Sequence, residues 1–261
     1  MKRLLLVSVA FLVLLSVALI GLWFFGVPDR YVSDRIEQIP AAPFRIEMRG
    51  FSKKLFFQFT ADSLQVSGPQ GEVWKISELR GRVDPFQLFL SRAIISVQGL
   101  SYGGAVGGTM RFERKGSKIE LVYSGIDFSA IPSVKERNIQ GTGKLSGELA
   151  YGNQGGDVRF VLNDASIAGI SSEGMYVPLR YFHTIRGAMK ILTPQNVAIT
   201  AISLEGKNIY ARLKGNIMNG TADLGIEIMP ETSFEDSSLM MLLDRYKISD
   251  GYYFIPIKTT L

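Results

Sequence analysis

His183 is the only histidine in the chain, so no second imidazole is on hand for a metal pair. A Ser-His-Asp triad needs its base held between a nucleophile and an orienting acid. A lone ring in the setting Tyr181-Phe182-His183-Thr184 is read as structural or surface. There are no cysteines, which excludes disulfide frameworks, thiolate metal sites and cysteine nucleophiles. Gly141-Thr142-Gly143-Lys144 invites a phosphate-loop reading. That motif needs a glycine five residues before its Gly-Lys pair and Ser or Thr after the lysine. Asn138 and Leu145 stand there instead, and the residues that follow read as strand, so a hairpin turn is expected. Gly103-Gly104 with Gly107-Gly108 lacks both lysine and helix; it reads as a flexible turn or an edge strand free of side chains. Asp244 with Asp250, or Glu235 with Asp236, could be imagined as acid–base pairs or a cation site. Helix capping and solvation explain these carboxylates more simply. The expectation is therefore no enzyme, no cofactor and no metal.

The balance of charge narrows the partners. The formal net charge is +5, and two of those charges are Lys2 and Arg3 at the start of the chain. The pI of about 9.3 thus overstates the basic character of the rest. Lys53-Lys54 and Arg111 with Arg114-Lys115 are the densest basic clusters and are read as solvated strand ends, with anionic headgroups as the sharper alternative. A dense basic face is missing, so nucleic acid is not an expected partner.

The elements that would position any site begin with an apolar run. Leu4 to Val27 carries no charge over 24 residues. As a helix it would be roughly 36 Å long, enough for a hydrocarbon core of about 30 Å. Leu4, Leu12 and Leu19 would face lipid, and Trp23 and Phe24 would sit near the exit, where an aromatic belt belongs. The run is longer than a signal-peptide core and ends on bulky Leu22-Trp23-Phe24-Phe25, so a retained anchor is expected rather than a cleaved leader. Lys2 and Arg3 place its start in the cytoplasm. The chain divides into a cytoplasmic tip and anchor (1–27), a juxtamembrane linker (28–43) and a β-rich domain on the far side of the membrane (44–261). Asp29 to Ile39 suits one or two helical turns, stopped by Pro40 and Pro43.

From Phe44 onward the pattern alternates with period two and is broken by turn residues at short intervals. Leu55, Phe57 and Phe59 alternate, as do Met110 and Phe112, and Val158, Phe160 and Leu162. Glycine is expected mostly between the runs. One apolar face and one face in water should result. Gly141 to Leu149 with Val158 to Leu162, and Leu213 to Ile217 with Asp223 to Ile228, form a loose repeat of strand, glycine turn and strand. Two stretches suit a helix. In Ser233 to Lys247, Leu239, Leu242, Leu243 and Tyr246 recur at helical spacing behind a capping box, Thr232 to Glu235. Pro178 to Leu192 is ambiguous, and strand is favoured because its neighbours are strands. The fold expected is mainly β: an elongated, twisted antiparallel sheet, in the form of a repeating groove on one reading, with an N-terminal transmembrane helix and a C-terminal amphipathic helix.

Such a sheet has two uses between which the residues do not choose. It could offer strand edges or loops to other envelope proteins, with Gly103, Gly104, Leu239, Leu242, Leu243 and Tyr246 as contacts. Its apolar face could instead hold acyl chains. The order of features resembles the protein N family of the type II (general) secretion pathway, in its bitopic form. The resemblance rests on Val27-Pro-Asp-Arg after the anchor, Ile76-Ser-Glu-Leu-Arg-Gly-Arg, Gly99-Leu-Ser-Tyr-Gly-Gly, and Ile126-Asp-Phe-Ser-Ala-Ile-Pro. It continues in Gly141-Thr-Gly-Lys-Leu-Ser-Gly, Leu204-Glu-Gly-Lys-Asn-Ile-Tyr-Ala-Arg-Leu-Lys-Gly, and Asp250-Gly-Tyr-Tyr-Phe-Ile-Pro-Ile. The chain departs from relatives at its end, Lys258-Thr-Thr-Leu261, where a glycine and a short tail often follow. The resemblance implies a non-enzymatic accessory protein of the bacterial inner membrane, with its bulk in the periplasm and other secretion-system components as partners. It is also distantly similar to AsmA-like envelope proteins, which implies lipid transport as the alternative. No functional residue transfers from either family.

Overall fold

The computed structural model describes residues 21–26, 28–37, 45–68, 71–89, 92–114, 116–136, 139–172, 175–193 and 195–260. Leu4, Leu12 and Leu19 lie outside them. Among the described residues no helix is long and apolar enough to cross a membrane.

A π-helical turn, Leu22–Gly26, leads into α1 (Asp29–Glu37), where the sequence calls for helical turns. The first strands are β1 (Arg45–Arg49), β2 (Ser52–Lys53), β3 (Gln58–Gly68) and β4 (Gly71–Val83). After α2 (Pro85–Phe89) come β5 (Ala93–Ser101), β6 (Gly104–Glu113) and β7 (Gly116–Asp127). After a 3-10 turn and α3 (Pro132–Glu136) come β8 (Gly141–Gly152), β9 (Gly155–Ile167), and the short β10 (Gly169–Ser172) and β11 (Met175–Pro178). The chain continues through β12 (Phe182–Thr193), β13 (Asn196–Gly206), β14 (Ile209–Met218) and β15 (Thr221–Pro230). It closes with α4 (Ser237–Leu243), β16 (Lys247–Ser249) and β17 (Tyr252–Thr260).

All strands but β10 and β11, which pair with each other, join one 15-stranded antiparallel sheet. From β3 to β9 and from β12 to β15 neighbours in sequence are neighbours in the sheet. Short connections make this meander the simplest solution for the chain. At about 4.8 Å between strands, the two edges lie on the order of 65 Å apart along the sheet. Two-residue hairpins recur, and at Tyr102-Gly103 and Asn219-Gly220 both central residues have positive φ, as a type I′ turn requires.

Several expectations change. Gly141–Lys144 is not a hairpin turn but the opening of β8, with a bulge between Thr142 and Lys144. Gly103 is a turn residue as expected, but β6 is no edge strand: it pairs with β5 and β7, so Gly104, Gly107 and Gly108 lie inside the sheet. Glycine also occurs mid-strand, where a neighbouring ring takes the missing side chain's space. A Cβ at Gly81 would overlap Phe59, and one at Gly147 would meet Tyr123. The segment 182–193 is strand, as favoured. The C-terminal helix is shorter than its apolar spacing suggested, and its cap is Asp236 rather than Thr232. The Asp236 carboxylate accepts both the Leu239 N–H and, at 2.6 Å, the Tyr181 hydroxyl, a pair of bonds the Thr232 side chain does not make.

Candidate functional site

Strand register turns the alternating pattern into continuous apolar rows. Ile126, Leu145, Leu162, Ile185, Leu204, Ala211, Ile228 and Tyr253 are successive cross-strand partners over eight strands, from β7 to β17. One step along the strands the next row is Tyr123, Gly147, Phe160, Gly187, Ile202, Leu213, Ile226 and Ile255. A third row is Leu121, Leu149, Val158, Met189, Ile199, Gly215, Leu224 and Ile257. Ile119, Tyr151, Ile191, Val197 and Ile217 belong to a fourth, nearest the hairpins that end at residues 116, 155, 196 and 221.

Burial divides this face in two. The first row is almost wholly buried. Ile131 and Val134 of the α3 region, Leu179 after β11, and Leu239 and Leu243 of α4 join its residues in the core and cover it. The later rows are only partly covered. Ile255 and Ile199 remain buried, whereas Leu149, Val158, Met189, Leu213 and Leu224 are intermediate in exposure. Residues that point inward on the sheet thus lose their cover toward one end of the strands, and an apolar surface is left partly in contact with solvent.

The opposite face is polar, as one-sided alternation predicts. Glu120, Ala150, Asp157, Lys190, Ala198, Asn216, Asp223 and Lys258 form one of its rows. Cross-strand ion pairs join Glu148 to Arg159 at 3.2 Å, Arg186 to Glu205 at 2.9 Å and Lys258 to Asp223 at 3.5 Å. These exposed pairs specify which face meets water more than they stabilise the sheet. Around the hairpins at 116, 155 and 193 a broad cavity of about 810 Å³ is lined by Arg111, Lys118, Asp157, Lys190, Tyr151 and Ile191.

The candidate residues separate. Leu239 and Leu243 are buried in the core, so they hold α4 onto the sheet and offer nothing to a partner. Leu242 is 52% exposed, and Tyr246 lines a small apolar pocket under α4 with it. Gly103 and Gly104 lie against β7: a Cβ at Gly104 would strike the backbone of Ser124 to Ile126, which explains the bare position without a partner. Trp23 is 1% exposed and is seated in the β domain. Its indole donates to the Lys54 carbonyl at 2.9 Å and its ring lies 5.2 Å from that of Phe57. Phe24 is exposed.

Of the acidic candidates around α4, Asp236 has structural partners, and Asp244 and Asp250 both act on Lys247. His183 is exposed on the polar side of β12, with Nδ1 3.2 Å from the Thr184 hydroxyl. Asp250 pairs with Lys247 at 2.6 Å, which holds its carboxyl below the usual range, and Asp236 caps α4. Among the described residues no cluster of three or more His, Asp or Glu could hold a metal ion. Three tyrosines are displaced upward. Burial and then the bond to Glu72 raise Tyr102, burial raises Tyr123 on the apolar face, and burial with the Asp236 bond raises Tyr181.

No family model, no curated protein and no solved structure matches the chain. The apolar face itself must therefore carry the functional argument. Val158, Phe160 and Leu162 were visible as an alternating run; their alignment with Met189, Leu213 and Leu224 was not, because it depends on the bulges that set the register.

Proposed function

We propose that this chain is a non-enzymatic, membrane-anchored protein of the bacterial envelope that holds acyl chains on its apolar sheet face. The Leu4–Val27 run would anchor it in the inner membrane with its start in the cytoplasm and residues 28–261 in the periplasm. One observation supports the reading above others: rows of apolar side chains eight strands wide, covered at one end of the strands and half open at the other. An alkyl chain laid along these rows would gain about 0.8 kcal/mol per methylene buried. On the outer face exposed apolar side chains such as Val122, Tyr210 and Phe254 stand singly opposite Glu148, Glu205 and Glu227 rather than in rows. Full-length protein extracted from membranes should retain phospholipid through purification, and Phe160→Glu should lower the lipid bound per mole. Protein that is lipid-free under native mass spectrometry would contradict the reading.

A second reading, an accessory role in type II secretion through protein contacts, has its own support. Met241, Leu242 and Ile248 are exposed close together in sequence, beside the edge strand β16. A free strand edge and adjoining apolar side chains suit β-augmentation. A crosslinker at Leu242 should then capture another envelope protein in cells; products confined to the chain itself would dismiss this role.

A further inference from the structure

The end of the sheet at which the apolar rows are only partly covered is also the end that carries the exposed aromatic tips. We infer that this end lies against the membrane surface, with the turn Leu55–Phe56 and the α2 tip at Phe86 inserted among the lipids. The inference rests on the anchor reading for Leu4–Val27. It adds where the β domain sits and which residues touch the bilayer.

The connection runs through observed bonds. The apolar run ends at Trp23, which is fixed to the Lys54 carbonyl, while the Lys53 ammonium donates to the Trp23 carbonyl at 3.2 Å. Lys54 opens the turn in which Phe56 and Phe57 both have positive φ, at 56° and 60°. Phe57 is thereby turned in beneath Trp23, and Leu55 and Phe56 are left outside, 56% and 62% exposed. The Val83 N–H donates to the Phe57 carbonyl at 2.8 Å, so the β4–α2 junction is beside the same turn. Phe86 stands out from it at 72% exposure, and Phe25, next to the seat of Trp23, is 92% exposed. The far end also exposes Met241, Leu242 and Ile248, but among the described residues only this end groups exposed phenylalanines, and aromatic tips suit the headgroup boundary. Lys54 and Arg92, both exposed, flank these tips and fit anionic phospholipid rather than a neutral apolar partner. β3 begins and β4 ends here, and so do the hairpins after β6, β8, β12 and β14. The open half of the apolar face therefore borders the bilayer, whereas α3 and α4 close the far end.

The cysteine-free chain permits a direct test. Spin labels would be placed singly at Phe56→Cys, Phe86→Cys, Met241→Cys at the far end, and Leu12→Cys in the apolar run. Each full-length variant would be reconstituted in vesicles of phosphatidylethanolamine and phosphatidylglycerol. Phe56 and Phe86 are exposed, so their replacement leaves the core intact. Labels at 56 and 86 should be several-fold less accessible to a water-soluble relaxant than the label at 241, and more accessible to oxygen. Labels at 56 and 86 as accessible as that at 241 overturn the inference. If the label at 12 is meanwhile deep in the bilayer, the anchor reading survives that failure. A water-exposed label at 12 with lipid-buried labels at 56 and 86 would remove the anchor and keep the docked end.

Discussion

The ring of Phe160 occupies the space over Gly187, its direct partner on the neighbouring strand. A glycine in the middle of β12 costs backbone entropy, and the phenyl ring recovers contact area there. The pair lies in the row where cover by the helices gives out, so it forms part of the boundary between core and open surface. Gly187→Leu places a side chain where the ring already is. It should lower stability by about 1–3 kcal/mol, read as a drop in urea midpoint with an unchanged slope. An unaltered midpoint would mean that the ring has another place to go.

The two faces should answer substitution differently. Leu162 is buried among core residues, and Leu162→Ala should cost about 2–5 kcal/mol. On the polar side, Arg159→Ala removes the exposed pair with Glu148 and should cost at most about 1 kcal/mol. Equal losses from both replacements would show that the assignment of faces is wrong.

Trp23 and Phe57 are far apart in sequence and joined only by the docking of the first segment on the β domain. A double-mutant cycle on Trp23→Ala and Phe57→Ala should show a coupling of about 0.5–1.5 kcal/mol. Strict additivity would mean that the two rings do not meet.

Acid should loosen α4 before the sheet. The Asp236 carboxyl is held below its ordinary range, by the Tyr181 hydroxyl first and the Leu239 N–H next. A lowered folded pKa gives stability that is complete above the unfolded value, about 3.9, and is lost as pH falls through the folded one. Amide exchange in the first turn of α4 should accelerate over that window, and Asp236→Asn should abolish the pH dependence. Exchange there that keeps the same dependence in the variant would assign it to another group.

Alkali acts on the opposite sign. Tyr102 and Tyr123 are raised, chiefly by burial, so their contribution is complete below the unfolded value of about 10 and is lost as pH rises through the folded values. In a spectrophotometric titration these two rings should ionise above the ordinary tyrosine range or together with unfolding. Ionisation of every ring in one early step would contradict the packing around Trp74, whose ring meets both at 5.7 and 6.1 Å.

Period-two spacing made most strands of the sheet legible, because each strand has one wet side. The inward set was harder to follow, since bulges change its parity. Phe59 and Ala61 point inward at odd positions, and beyond Asp62 the inward residues are Leu64 and Val66. The facing residue, Glu78, has a φ of 51°, and Asp164 has the same φ between Leu162 and Ala165. Gly125, at a φ of 69°, is a bulge that glycine announces; glutamate and aspartate give no comparable signal. The C-terminal stripe Leu239, Leu243 was visible for the same reason that it proved structural: helical spacing marks a buried side, and what it is buried against is fixed by the tertiary fold. The exposed tips Leu55, Phe56 and Phe86 read as ordinary strand and loop residues until the turn geometry sets them outside.

The acyl-chain reading is tested most directly inside cells, with a photoreactive phenylalanine analogue in place of single residues of the full-length chain. Placed at Phe160, Leu213 or Leu224 on the apolar face, it should form phospholipid adducts; placed at Arg159, Arg212 or Arg186 on the polar face, it should not. Adducts in equal yield from both faces, or from neither, would contradict it.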